Sequence, residues 1–167
     1  MKTIRLPRVK TAVVTAGLAA TLLGGAVVNA PTASAATPTC SKFKRVENGN
    51  LLYAWVPASS AGSTACQLTT GNSSTAVSTL QATLNKCYGS EQGNAAWNLG
   101  IDITVDGEFG SQTKSALKKV QQVLKDSNYY DGAVDGIYGP MTSKAMHHRQ
   151  YYQDSNRYSR CFRVLGQ

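Results

Sequence analysis

From Thr11 to Ala30 the chain is an apolar run rich in Ala, Val and Leu. Ten residues with four positive charges and no acid precede it, and the small-residue exit Ala33-Ser34-Ala35 comes after it. That order is the pattern of a secretory signal peptide, with cleavage expected after Ala35 and Ala36 as the alternative. Gly17, Gly24 and Gly25 interrupt the run and argue against a retained membrane anchor. Further on, Asn48-Gly49 separates two runs of β-branched and aromatic residues across 43–56, which predicts a β-hairpin. Pro57 is expected to end its second strand, and the small, turn-forming residues 58–74 read as a linker. Because two strands alone are marginal in water, the hairpin is expected to be an appendage packed on the helical part of the chain. Val77, Leu80, Leu84 and Cys87 then recur at helical spacing behind Ser73-Ser74, predicting a helix over 75–87.

The helical part contains an internal repeat. Residues 102–121 align with 131–150 at an offset of 29 with eight of twenty positions identical: Asp102/Asp131, Val105/Val134, Asp106/Asp135, Gly107/Gly136, Gly110/Gly139, Thr113/Thr142, Ala116/Ala145 and Gln121/Gln150. Phe109/Tyr138 and Leu117/Met146 are similar in kind. In each unit Asp-Gly supplies a side-chain acceptor and a residue free to take positive φ, so the chain turns sharply and the aromatic two positions on folds inward. The second Gly leads into a helix, where Pro140 suits the first turn and Thr113 or Thr142 is expected to bond near its unpaired amides. On the helix after the first turn, Ala116, Leu117, Val120, Val123 and Leu124 form the apolar stripe, with Lys114, Lys118, Gln121 and Lys125 opposite.

Charge and cysteines narrow the function classes. Seventeen Lys and Arg less the four in the leader (Lys2, Arg5, Arg8, Lys10) leave 13 against nine acids, a net charge near +4 without dense basic clusters. Nucleic acid is therefore not an expected partner. Cys40, Cys66, Cys87 and Cys161 form an even set in an exported chain, which implies disulfides. Of three pairings, Cys40 with Cys66 and Cys87 with Cys161 are favoured, since the first two bracket the hairpin and the last two flank the repeat. No C-x2-4-C pair occurs, and the adjacent His147 and His148 read as a surface pair, so no metal and no cofactor are expected.

The pattern Leu80-Gln81-x-x-Leu84-Asn85, then Val105-Asp106-Gly107-x-Phe109-Gly110-x-x-Thr113, then Asp135-Gly136-x-Tyr138-Gly139-Pro140-x-Thr142, resembles the type-1 peptidoglycan-binding domain over about residues 74–150. The resemblance implies a mainly α, three-helix module that attaches to the cell wall. The expected organisation is a signal peptide (1–35), a disulfide-tied hairpin and linker (36–73), the peptidoglycan-binding-like domain (74–153) and a tail tied by Cys161 (154–167).

On this reading the protein is exported to the cell wall or medium and is monomeric. It binds peptidoglycan or another wall polymer without catalysis, alone or beside a separate hydrolase, and holds no membrane contact after cleavage. Candidate ligand-binding residues are Trp97, Tyr129, Tyr130 and Arg149, the last expected in a final helical turn near Tyr151 and Tyr152. Aromatic faces suit sugar rings, and a guanidinium suits carboxylates. Phe109 and Tyr138 are expected in the core. Two rivals stand beside this reading. One is a wall hydrolase using carboxylates such as Glu47, Glu91 or Glu108; the other is a secreted protein-binding or inhibitory protein with the hairpin as its contact surface.

Overall fold

The computed structural model describes residues 36–49, 51–90 and 97–164, all within one compact unit. The expected signal peptide lies outside the described residues. The elements, in chain order, are β1 (Cys40–Glu47), β2 (Leu52–Ser59), α1 (Thr75–Tyr88), α2 (Ser111–Asp126), α3 (Pro140–Ala145), β3 (His147–Tyr152) and β4 (Tyr158–Arg163). The strands form one antiparallel sheet in the order β1-β2-β3-β4.

This overturns the expectation of a mainly α three-helix module with a hairpin appendage. The three helices are joined by a four-stranded sheet, of which the hairpin is only half. The repeat carries the chain into α3, but α3 stops after six residues, and Met146 is already extended at φ −78°, ψ 158°. Residues 147–152, expected to continue the helix, instead pair with β2 through Leu52, Tyr53 and Ala54. The physical reason is the need of a two-stranded ribbon for a third partner. HHRQYY supplies it with aromatic side chains that suit a pleated surface, and Tyr158–Arg163 adds the fourth strand.

The first turn of the sheet obeys the Asn-Gly signal. Gly49 has φ +78°, and Asn48 N–H donates to Leu52 O at 2.8 Å. Pro57 does not end β2, which runs to Ser59. Beyond Ala54 the strand is paired with β1 alone, so a residue without an N–H is tolerated on its open side.

One core fills the space among the helices and linker, with Leu68, Leu80, Leu84, Phe109, Leu117 and Tyr138 almost fully buried. Ser74 caps α1, its side chain accepting from Val77 N–H. The linker is structural as well as connective. Leu68 exchanges two backbone bonds with Tyr138, and Asn72 O and Ser74 N bond Phe109 N and Gly107 O. Two disulfides are present, Cys40–Cys66 across 26 residues and Cys87–Cys161 across 74. The second ties the last turn of α1 to β4, and each contributes roughly 3 to 5 kcal/mol by restricting the unfolded chain.

Candidate functional site

Each Asp-Gly turn is held by a glutamine from the helix before it. Gln81 Nε2 donates to Asp106 Oδ1 (2.7 Å), Glu108 O (3.0 Å) and Thr113 Oγ1 (3.1 Å), while its Oε1 accepts from Gly107 N–H (2.9 Å). Gln121 Nε2 donates to Asp135 Oδ1 (3.0 Å), Ile137 O (3.0 Å) and Thr142 Oγ1 (3.2 Å), and its Oε1 accepts from Gly136 N–H (2.8 Å). Gly107 and Gly136 take φ of +79° and +73°. Phe109 and Tyr138 are buried beneath the turns.

Two expectations are corrected by this wiring. Gln121 is fully buried and not on the polar face of α2. Thr113 and Thr142 receive a glutamine amide, and neither α2 nor α3 has a side-chain cap. The missed signal is a second internal match. At an offset of 40, α1 aligns with α2 through Val77/Leu117, Leu80/Val120, Gln81/Gln121 and Leu84/Leu124.

The acids of these turns are committed to structure. Asp106 Oδ1 also accepts from Glu108 N–H at 2.9 Å, and the Gln81 amide together with that N–H holds the Asp106 carboxyl below its ordinary value. A carboxylate so held is a poor proton donor near neutrality.

The surface aromatics lie elsewhere. After α2, Asn128 adopts φ +60°, its N–H bonding Lys125 O and the N–H of Tyr129 bonding Leu124 O. These two bonds form a Schellman motif with asparagine in the left-handed position. Tyr129, immediately beyond it, is 49% exposed. Its ring meets Trp97 edge-on at 6.1 Å and carries the Arg163 guanidinium at 4.9 Å. Trp97 packs edge-on against His147 at 6.4 Å, and His147 stacks on Phe162 at 5.9 Å. Phe162 is 48% exposed, with the Arg160 guanidinium 5.5 Å from its ring. Burial and the charge of Arg163 hold the His147 pKa below its ordinary value, so the ring is neutral at pH 7. The result is an aromatic patch bordered by two cations.

The four sequence candidates separate in space. Trp97 and Tyr129 share this patch. Tyr130, only 7% exposed, turns inward, its hydroxyl donating to Ala133 O at 2.9 Å and accepting from Gln121 and Thr142. Arg149 is on strand β3 and not in a helical turn, and it lines a cleft with Asn85, Lys86 and Asp102. His148 is not a surface residue; it is fully buried, with Nε2 2.9 Å from Ser143 O and its pKa pushed down to about 4 by burial. Sequence reasoning missed His147, Arg160, Phe162 and Arg163. His147 begins β3 and the other three lie on β4, and no local pattern marks them as neighbours until both stretches are taken as paired strands.

Among the described residues no group of three or more His, Cys, Asp or Glu side chains could hold a metal ion, and no helix is long and apolar enough to cross a membrane. Residues 73–125 match the family model described as "Putative peptidoglycan binding domain". That segment spans α1, the first Asp-Gly turn and nearly all of α2; the second turn, α3 and the sheet fall outside it. No curated protein and no solved structure matches the chain. The family match supports peptidoglycan as the ligand.

Proposed function

We propose that the protein is an exported, disulfide-stapled binder of bacterial peptidoglycan that performs no catalysis of its own. The observation that carries this reading is the match of residues 73–125 to a peptidoglycan-binding family. Two further features agree with it. Both disulfides suit an oxidising compartment outside the cytoplasm. The Trp97–Tyr129–Phe162 patch offers ring faces and edges to sugars, with Arg160 and Arg163 placed to meet wall carboxylates.

Against a hydrolase, Asp106 and Asp135 are engaged in turn wiring, and Glu47 is ion-paired with Arg45 at 2.9 Å. The test is sedimentation of the purified protein with insoluble sacculi, with released sugars and peptides assayed in parallel. Binding without release is expected, unchanged when Glu47→Gln, Glu91→Gln and Glu108→Gln are combined. Release that disappears in that variant would favour the hydrolase instead.

A further inference from the structure

Two residues along β3 from His147, a cleft of about 450 Å³ opens between the last turns of α1, residues 101–105 and Arg149. Lys86 from α1 and Arg149 from β3 both reach it, and both are steadied by tyrosines. Lys86 Nζ lies 5.0 Å from the Tyr158 ring, Arg149 Cζ lies 5.9 Å from the Tyr151 ring, and those rings meet edge-on at 6.3 Å. Cation–π contacts of this kind hold a charge in place without neutralising it.

Among the described residues no acid pairs with these cations. Among the described residues the one ion pair is Arg45–Glu47, so Asp102 lies beyond ion-pair distance of both although it lines the same cleft. Arg149 Nε is buried without a hydrogen-bond partner. Asn85 is already committed, its side chain clamping the backbone of Ile103 through bonds of 2.6 and 3.0 Å. That clamp fixes the segment that carries Asp102. Among the described residues the cleft thus has two cations without a carboxylate partner, one acid beyond ion-pair distance of them and apolar wall from Ile101 and Val105.

We infer that this cleft binds the zwitterionic amino-acid end of a wall stem peptide. Arg149 and Lys86 receive the carboxylate, and Asp102 receives the neighbouring ammonium. The assignment rests on the cell-wall reading and names the part of the polymer bound. A carboxylate between two cations relieves their mutual repulsion, and a guanidinium matches its geometry with paired N–H donors. Asp102 argues against a polyphosphate, whose charge it would repel, and for a ligand with both signs. The volume suits one or two amino-acid residues and not a folded partner.

The experiment titrates protein recovered from expression of the full chain with a soluble stem peptide whose last residue has a free ammonium and a free carboxylate. Saturable binding is expected, about tenfold weaker when that carboxylate is amidated. Arg149→Gln and Lys86→Met should each weaken binding about tenfold, whereas Arg149→Lys should retain most of it. Asp102→Asn should erase the preference for the free over the acetylated amine. Thermal midpoints of all variants separate lost contacts from lost fold. Sedimentation with sacculi without peptide binding, equal binding of the amidated peptide, or displacement of the peptide by polyglycerol phosphate would overturn the cleft assignment alone. Failure to sediment at all would overturn the wall reading and this assignment with it.

Discussion

Around Gln81 and around Gln121 the same bonds are drawn, yet the two turns are supported differently. Gln121 grips a turn only 14 residues ahead and also reaches the Tyr130 hydroxyl, and Tyr138 beneath it bonds Ser143 at 2.8 Å. Gln81 grips a turn 25 residues ahead, with no tyrosine hydroxyl in its network. Closing the longer loop costs about 0.5 kcal/mol more by chain statistics. The Asn85 clamp on Ile103 offsets this by fixing the loop three residues before Asp106. The shared part of the unit is thereby separated from its local support. Helix glutamine, Asp-Gly and threonine recur in both, while Tyr130 and Asn85 serve one turn each.

The largest expected effect comes from removing the glutamines. Leucine at either position leaves a buried glycine N–H unpaired, costing about 1 to 3 kcal/mol, and removes the amide bond to the Asp carboxylate, worth about 1.5 to 3 kcal/mol, while the turn carbonyl keeps its Thr hydroxyl. Gln121→Leu should therefore lose about 4 kcal/mol by denaturant unfolding, and Gln81→Leu somewhat less because fewer partners surround it. A reversed order would show that Tyr130 adds no support to the second turn.

Acid should act next, and on the second turn. His148 is neutral in the fold, with its pKa pushed down to about 4 from an ordinary 6.5, and its Nε2 adjoins Ser143, which in turn bonds Tyr138. Above pH 6.5 neither state binds the proton and stability is full. As pH falls from 6.5 to 4 the unfolded chain binds a proton that the fold refuses, so stability drops. Below 4 this contribution is constant. The loss approaches about 3 kcal/mol. Denaturant midpoints at pH 7 and pH 4.5 should differ less in His148→Gln than in the wild type.

A smaller and more discriminating effect concerns the glycines. Gly136→Val should cost about 2 to 3 kcal/mol and Gly107→Val about 1 to 2, both from positive φ. A Cβ at Gly136 would meet Lys114 Cγ at 2.7 Å and Lys114 O at 3.0 Å, against a lone close contact with Ser78 Oγ at 2.9 Å for Gly107. Equal midpoints would show that the two turns sit against their helices alike.

The turns were legible because their chemistry is short-range: Asp-Gly, an aromatic two residues on and a threonine announce themselves within eight positions. Their glutamine partners were not, since the first lies 25 residues from its turn and obeys the offset of 40, not 29. The mainly α fold class implied by the resemblance fails where the repeat match runs on to Gln150. Gln150 is a buried strand residue opposite Ala54 and Arg160. Its partner in β2 is nearly a hundred residues away, and no local periodicity could reveal that pairing. Of the candidate site, Trp97 and Tyr129 are legible as aromatic faces that suit sugar rings, whereas Arg149 rests on an expected helical turn that does not exist. The cations around them come from the unread strands.

Wall binding through the aromatic patch is put to its sharpest test by sedimentation with purified sacculi, comparing wild type with Tyr129→Ala at increasing salt. The wild type is expected to sediment, and moderate salt to weaken binding without abolishing it. Tyr129→Ala should lower the bound fraction with an unchanged unfolding midpoint. A wild-type protein that stays in the supernatant at every salt concentration would contradict wall binding.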